Sequence, residues 1–516
     1  SDDKNSGMNI VVLSQAGLGL PDRDYYFKKD SANLAVIKAY QTYISSLLRL
    51  AGDDPAKADK KMMLVYNLEK ELAESHKTNV ELRNPKANYH KMAVAALNLE
   101  MPAFAWKRTI DDLGLHTDSV NLQQPKFYQK VDELLKTSPL DAWKAYLEFH
   151  TLDAFSEALG KDFVKASFDY NGRALSGQQE QKPRWFRMVG STDGHLGEAL
   201  GEIYVKKYFT DSAKKRMLAL VNNLQAAFVA RINNLDWMSD STKAKAREKL
   251  GAFVKKIGYP DKWRDYGKVT IDRKTYFENL ISCDKNQYDF NAAKVGKPVD
   301  RSEWGMTPPT VNAYYNAYNN EIVFPAGILQ YPSFDINADD AVNYGAVGMV
   351  IGHEMTHGFD DQGSQYDKNG NLKNWWSKED SMEFAAKTKR IIDFYNHFVA
   401  VDTFHVNGAL TTGENIADFG GLSIAYDAFK LTKEGQDSTT IDGLTPDQRF
   451  FMAYAQEWRS KYKDEFRRQL VAVDVHSPDK DRVIGPLENF GPFYTTFGVR
   501  QDDKMYIPEN ERIKIW

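Results

Sequence analysis

The sequence predicts a mainly α-helical protein of two domains, with a small mixed β-sheet in the second domain. Apolar residues recur at helical spacing through most of the first half, whereas strand-like runs appear only after residue 310. The stretch between about residues 256 and 310 is charged and is interrupted by glycine and proline turns, so we take it as a link. A chain of 516 residues also exceeds what one hydrophobic core usually serves. We therefore predict domains over residues 1–285 and 286–516.

The composition excludes several classes of protein. Lys and Arg number 67 against 71 Asp and Glu, so no bulk charge directs the chain towards nucleic acid. We find no apolar run of the ~18 residues that a membrane-spanning helix needs. The only cysteine is Cys283, which excludes an internal disulfide and a cysteine-based zinc cluster. A cysteine nucleophile stays formally open.

The elements follow from hydrophobic spacing and from helix-start signals. Asp30 and Ser31 are cap candidates for the first helix, and Pro55 suits the first turn of the second. We interpret the apolar faces of these helices as core. Helices are predicted over residues 31–50, from residue 55, and over 140–160, 211–237, 340–359, 377–399, 414–431 and 446–465. Strands are predicted over residues 310–315 and 321–324.

The strongest chemical signal is the pattern His353-Glu354-Met355-Thr356-His357. Its two histidines are four residues apart, so on a helix they share one face and can bind one metal ion within reach of Glu354. The residues before this pattern are apolar, so the helix should be buried. Buried histidines and a buried carboxylate are costly unless a ligand or a hydrogen-bond partner satisfies them.

A catalytic zinc ion needs a third protein ligand and one open position. Asp360 and Gly363 stand where the metzincin spacing requires Gly and His, which excludes that class. Glu414 is the better candidate, because Glu414 and Asp418 lie four residues apart near the start of a predicted helix. Glu414 can bind the metal while Asp418 hydrogen-bonds the outward nitrogen of a metal-binding imidazole. A purely structural zinc site would need four protein ligands, and only three are evident.

The segment over residues 474–478 contains His476, and Arg482 follows six residues after it. A hydrolase of this plan needs a cationic or hydrogen-bonding group for the negative charge that develops on the carbonyl oxygen. A histidine beside a proline turn is uninformative when taken alone, so the residues by themselves leave its role open.

Together these segments resemble the neprilysin-like zinc metalloendopeptidases, the M13 family, which includes the endothelin-converting enzymes. Animal members carry a cysteine near the C-terminus where Ile513 stands here, so the chain resembles a bacterial member. The matching stretches extend from one end of the chain to the other. They lie at residues 18–26, 236–238, 257–261, 311–315, 322–330, 353–357, 414–418, 474–478 and 516.

The resemblance implies one zinc ion per chain, bound by His353, His357 and Glu414. It also implies that Glu354 is the general base and that His476 stabilises the transition state. Asp418 would orient His353, and in some descriptions it is a proton donor. Asp360 would orient His357 in the same way.

Substrate contacts are implied in the same way. Arg482 resembles the arginine that grips a substrate carbonyl, and Asn312 and Ala313 match an edge strand that pairs with the substrate backbone. The resemblance also implies an apolar pocket for the residue after the scissile bond, built by Val350, Trp458 and Val475, with Phe334 and Met349 as further members.

The family implies a thermolysin-like (gluzincin) catalytic domain over residues 286–516 under a large helical lid over residues 1–285. The expected activity is zinc-dependent endopeptidase cleavage of short peptides, on the amino side of hydrophobic residues, inside a chamber between the domains. The alternative is a zinc-stabilised peptide-binding protein without turnover. We expect no nucleic-acid partner and no transmembrane segment in this chain.

The chain begins inside the family pattern, so we also expect a missing N-terminal segment as a partner. It would be a separate chain, a cleaved piece or a deletion. The expected location is extracytoplasmic, as a secreted or periplasmic protein or one anchored through a removed N-terminus. The cytoplasm is the alternative location.

Overall fold

The computed structural model describes residues 1–516, and helices dominate it. The helices of the first 292 residues are α1 Ser31–Leu50, α2 Pro55–Ser75, α3 Asn79–Leu82, α4 Val94–Glu100, α5 Trp106–Asp112, α6 Pro125–Thr137, α7 Leu140–Phe155, α8 Lys161–Ser167, α9 Arg184–Tyr208, α10 Asp211–Asn234, α11 Asp240–Gly251 and α12 Tyr276–Ala292. The later helices are α13 Asp340–Asn343, α14 Met349–His357, α15 Lys378–Tyr395, α16 Thr412–Lys430, α17 Pro446–Glu457, α18 Asp464–Val473, α19 Asp479–Glu488 and α20 Gly491–Phe497. None of these helices combines the length and the apolar character that crossing a bilayer requires.

Short strands form three small sheets. The strands are β1 Val11–Leu13, β2 Lys91–Ala93, β3 Ser119–Leu122, β4 Val254–Gly258, β5 Tyr314–Asn316, β6 Glu321–Pro325, β7 Val399–Val401 and β8 Phe404–His405. Two sheets, in the orders β1-β3-β2 and β4-β6-β5, are mixed, because each contains one parallel and one antiparallel pair. The predicted fold class, mainly helical with small mixed sheets, is confirmed.

The helix-start signals act as expected in the first half. The Asp30 side chain caps α1 by accepting from the Asn33 amide, and Pro55 occupies the first turn of α2. The apolar face predicted for α1 is confirmed only in part. Ile44 is fully buried, whereas Leu34 is 51% exposed near the start of the helix.

Some predicted boundaries in the second half are wrong. The helix predicted over residues 446–465 stops at Glu457, and Trp458 is its C-terminal cap. The Trp458 ring packs against the guanidinium of Arg482, whose Cζ lies 3.8 Å from the ring centroid. The strand predicted over residues 310–315 begins only at Tyr314. Prolines at 308 and 309 cannot donate to a strand ladder, and the chain turns there.

The packing of α14 against α16 organises the largest hydrophobic core. Glycines permit this close approach, since a Cβ on Gly352 would lie 2.8 Å from the carbonyl oxygen of Gly421. This core contains apolar residues from 205–257 as well as from 313–516, which lie on both sides of the predicted boundary at residue 285. The domain division stays a prediction. The close contact of α14 with α16 brings the chemistry-bearing residues of both helices together.

Candidate active site

Three potential metal ligands lie close together where α14 faces α16. His353 and His357 project from α14, one turn apart, and Glu414 projects from the first turn of α16. One ligand atom from each of the three lies within 4.8 Å of the others. The two imidazole Nε2 atoms are 2.9 Å apart, and Oε2 of Glu414 lies 3.2 Å from that of His353 and 3.5 Å from that of His357.

The potential metal ligands His353, His357 and Glu414 include an acceptor atom that has no hydrogen-bond partner and that a metal cation would satisfy. Nδ1 of His353 lies 2.8 Å from Asp418, and Nδ1 of His357 lies 2.7 Å from Asp360. Because a carboxylate only accepts, each ring donates from Nδ1, so the neutral form of each ring presents a lone pair at Nε2 to a cation. The Glu414 Oε2 atom is buried without a hydrogen-bond partner. Two nitrogen lone pairs and one carboxylate oxygen therefore converge, which is a donor set that zinc prefers.

The pKa values distinguish the two glutamates of the site. Burial would raise the pKa of Glu414, but the neighbouring histidines hold it well below its usual value. Burial does raise the pKa of Glu354, and the histidines oppose this only in part. Glu414 is thus kept as the anion that a metal ligand must be. Glu354 takes up a proton more readily, which is the property of a general base.

A buried ion pair stands behind His353. Arg482 donates from Nε and Nη2 to the two carboxylate oxygens of Asp418, both at 2.8 Å. Burial would raise the pKa of Asp418, but the charge of Arg482 holds it below its usual value. Although Asp418 is fully buried, the ion pair with Arg482 keeps its carboxylate charged. The charged carboxylate can then orient the imidazole of His353.

His476 approaches the same ligands from the segment before α19. Its Nε2 is 3.2 Å from Oε2 of Glu414, and its Nδ1 is 2.7 Å from Asp474. Burial would lower the pKa of His476, but these two carboxylates raise it to about 9. An imidazolium held at this position is a suitable donor for developing negative charge.

The site opens into a cavity of about 600 Å³. The sequence-predicted residues that line it are Asn312, Ala313, Val350, His353, Glu354, His357, Asp360, Glu414, Trp458, Val475, His476 and Arg482. The cavity lining does not include Phe334 or Met349, which are 3% and 0% exposed and belong to the core. Asn312 and Ala313 precede the edge strand β5 and do not form part of it.

Among the cavity residues that the sequence did not predict as site residues are two charged ones, Arg83 and Glu457. Nη2 of Arg83 lies 2.7 and 2.8 Å from the two carboxylate oxygens of Asp361. Burial raises the pKa of Asp361 to about 6, with the neighbouring Asp360 contributing. Neither Arg83 nor Glu457 lies in a sequence motif. The side-chain partner of each lies far away along the chain, Asp361 for Arg83 and Ser333 for Glu457.

A buried lysine fastens the loop that carries Asp360. Lys249, on α11, is 1% exposed, and its Nζ donates to the carbonyls of Gly358, Gly363 and Tyr366 at 2.7, 2.6 and 2.7 Å. Burial lowers the pKa of Lys249 to about 7, although the charge of Asp360 opposes this. Only the ammonium form has three N–H donors, so the charged form holds all three carbonyls. No local sequence pattern identifies this residue.

Replacing Lys249 by methionine should loosen the loop and weaken metal binding. Methionine fills a similar volume but donates no hydrogen bond, so three buried carbonyls lose a donor. We expect a loss of stability of about 1–3 kcal/mol, since the carbonyls of Gly363 and Tyr366 each keep another donor, the Tyr366 amide and the Trp375 indole, both at 3.0 Å. Zinc affinity should fall about 10–100-fold, as measured by chelator competition.

Lys256→Met is the matched control. Lys256 is also a poorly exposed lysine, and its Nζ lies 2.7 Å from Oε2 of Glu321 in the β4-β6-β5 sheet. Its replacement should lower the free energy of unfolding and leave zinc affinity unchanged. Equal losses of zinc affinity in both variants would contradict a specific role for Lys249.

Comparison with known proteins agrees with this geometry. Two models of peptidase family M13 match the chain, the N-terminal one over residues 1–260 and the other over residues 312–513. The endothelin-converting enzyme homolog of Locusta migratoria is 34% identical over 528 residues, covering 98% of this chain and 72% of that protein.

Solved structures are similar over the whole chain. The zinc metalloprotease Zmp1 of Mycobacterium tuberculosis, in complex with an inhibitor, matches with a TM-score of 0.96 at 40% identity, covering 100% of this chain and 79% of that one. The same metalloprotease in an open state matches with a TM-score of 0.69 at 39% identity, covering 99% and 82%.

The fold and these relatives define the class of protein, which is that of the zinc metalloendopeptidases. The two family models together account for most of the chain, and the locust relative is matched over more than two thirds of its length. The chain belongs to peptidase family M13. The resemblance drawn from the sequence is confirmed.

Proposed function

We propose that the chain hydrolyses short peptides on the amino side of hydrophobic residues, inside a chamber between a lid over residues 1–285 and a catalytic part over residues 286–516. The observation that carries this proposal is the convergence of two imidazole nitrogens and one carboxylate oxygen beside the buried Glu354, in the wall of a large cavity. We expect one zinc ion per chain at this point.

In the proposed mechanism, the protein moves one proton and stabilises one developing charge. When bound, zinc supplies Lewis-acid chemistry, which polarises a carbonyl and lowers the pKa of a water molecule. Glu354 accepts the proton of the attacking water and delivers it to the leaving amine nitrogen. His476 donates a hydrogen bond to the carbonyl oxygen as negative charge develops there. Asp418 and Asp360 hold the two imidazoles in their binding orientation.

Contacts between the lid and the catalytic part support the chamber. The ion pair between Arg83 and Asp361 joins residue 83 of the lid to the loop that follows α14. Nearby, Nδ2 of the Asn79 side chain donates to the backbone carbonyl of Ala472 on α18 at 3.1 Å. The inhibitor-bound relative also matches this chain more closely than the same relative in its open state. A closed chamber of this kind would admit peptides and exclude folded proteins.

The proposed substrate contacts follow the cavity wall. Asn312 and Ala313 stand beside the edge strand β5, where an extended peptide can add as a further strand. Arg482 would bind a substrate carbonyl. The apolar pocket for the residue after the scissile bond would be formed by Val350, Trp458 and Val475.

Cleavage-site mapping on a peptide mixture tests this function. We expect cuts before hydrophobic residues in short peptides, no cuts in folded proteins, and loss of activity with a zinc chelator that added zinc reverses. Peptide binding without any cleavage at full zinc occupancy would favour the peptide-binding alternative. An extracytoplasmic location stays a prediction, and the expectation of a missing N-terminal segment as a partner gains no support.

A further inference from the structure

One wall of the cavity carries a carboxylate without a cationic partner. Glu457 is the last residue of α17 and lines the cavity together with Trp458 and Val350. Its Oε1 accepts a hydrogen bond from the Ser333 hydroxyl at 2.7 Å, whereas its Oε2 is buried and has no hydrogen-bond partner. Burial raises the pKa of Glu457, and this hydrogen bond opposes the rise.

The other carboxylates of the cavity wall near the metal site are accounted for. Asp360 orients His357, Glu414 belongs to the metal-binding group, and Glu354 is the proposed base. An unpaired, mostly buried carboxylate is costly, because burial removes its hydration and no partner replaces it. The chain supplies no cationic partner to Glu457, which leaves this carboxylate available to a cation on a molecule that enters the cavity.

The position of Glu457 relates it to a particular subsite. Val350 lies one turn before the metal-binding His353 on α14, and Trp458 follows Glu457 directly. The backbone of Ser333 accepts from the amide of Val347 at 3.0 Å, which fixes Ser333 beside the approach to α14. Glu457 therefore stands at the apolar pocket proposed for the residue after the scissile bond.

We propose that Glu457 makes this pocket a binding site for the side chain of lysine or arginine. The aliphatic stem of such a side chain packs where a hydrophobic residue would, against Val350 and Trp458, and its cation pairs with the Glu457 carboxylate. This inference rests on the proposed function and deepens it, because it extends the residue after the scissile bond from hydrophobic to long cationic side chains.

Two peptides that differ at one position test the inference. One peptide has lysine after the scissile bond, and the other has norleucine, which keeps the four-carbon stem but lacks the ammonium group. We expect the zinc-loaded wild type to cleave both. Glu457→Gln should lower the ratio of kcat/KM for lysine over norleucine about 10–100-fold and leave the norleucine peptide nearly unaffected.

The controls separate charge recognition from structural support. Glu465→Gln changes an exposed glutamate on α18 and should leave the ratio as in the wild type. Glu457→Leu removes both carboxylate oxygens and should also disfavour lysine relative to norleucine. It therefore serves as a second variant if the glutamine variant folds poorly.

Three results would overturn the inference. An unchanged lysine-to-norleucine ratio in both Glu457 variants would make the carboxylate a structural partner of Ser333 only. An equal loss of both peptides would make Glu457 a support of the active site without selectivity. Failure of the wild type to cleave either peptide, or any peptide of a broad mixture, would reject the proposed function itself, so the two failures are distinguishable.

Discussion

Glu354→Gln should keep zinc bound and reduce peptide hydrolysis by about 10³–10⁴-fold. The amide of glutamine has the shape of the carboxyl group but cannot accept the proton of the attacking water. Burial raises the pKa of Glu354, which suits a group that must take a proton and release it again in each turnover. The proposed metal-binding atoms belong to other side chains, namely His353, His357 and Glu414, so the zinc content should be unchanged.

This expectation is measured by kcat/KM on a fluorogenic peptide together with zinc content by elemental analysis. Glu379→Gln, a change at an exposed position on α15, is the control and should retain wild-type activity. Near-normal turnover by a Glu354→Gln preparation free of other peptidases would reject Glu354 as the base. Loss of zinc from this variant would mean that Glu354 helps to hold the metal.

Arg482→Met should destabilise the protein by about 3–5 kcal/mol. The guanidinium makes two hydrogen bonds of 2.8 Å to Asp418, and without them a carboxylate that is 0% exposed is left without its charge partner. Because the same carboxylate orients His353, zinc affinity should fall as well. Urea unfolding and chelator competition measure the two effects separately.

A double-mutant cycle identifies the cause. Asp418→Asn combined with Arg482→Met removes the charge from both partners, so its free energy of unfolding should exceed that expected from adding the two single losses. Arg482→Lys keeps the charge but cannot make the two-pronged contact, and it should show an intermediate loss. Strict additivity of the two single changes would contradict a direct interaction between these side chains.

Short-range geometry explains why much of the candidate site could be predicted from the sequence. His353 and His357 share a helix face because they are four residues apart, and Glu414 and Asp418 do so for the same reason. Helix starts at Asp30 and Pro55 follow from the same local rules. The catalytic and substrate-binding roles of these residues remain predictions that the experiments above address.

Long-range contacts explain why other residues around the site could not be predicted from the sequence. Lys249 is 109 residues from the first carbonyl that it holds, Arg83 is 278 residues from Asp361, and Glu457 is 124 residues from Ser333. Nothing in the local pattern of α11 distinguishes a lysine that holds a metal-site loop from one that faces solvent. In the same way, Met349 immediately precedes the cavity residue Val350, yet only the packing of α14 decides that Met349 is turned into the core.

The sequence by itself determined the mainly helical class, the family and the residue types that can hold and use a zinc ion. These properties depend on spacing along single helices, which the backbone geometry fixes. The tertiary structure alone decided which groups surround that site, including the buried lysine behind its loop and the unpaired carboxylate in the adjoining cavity. Such contacts arise only when distant segments pack together, because burial and pairing are properties of the packed chain.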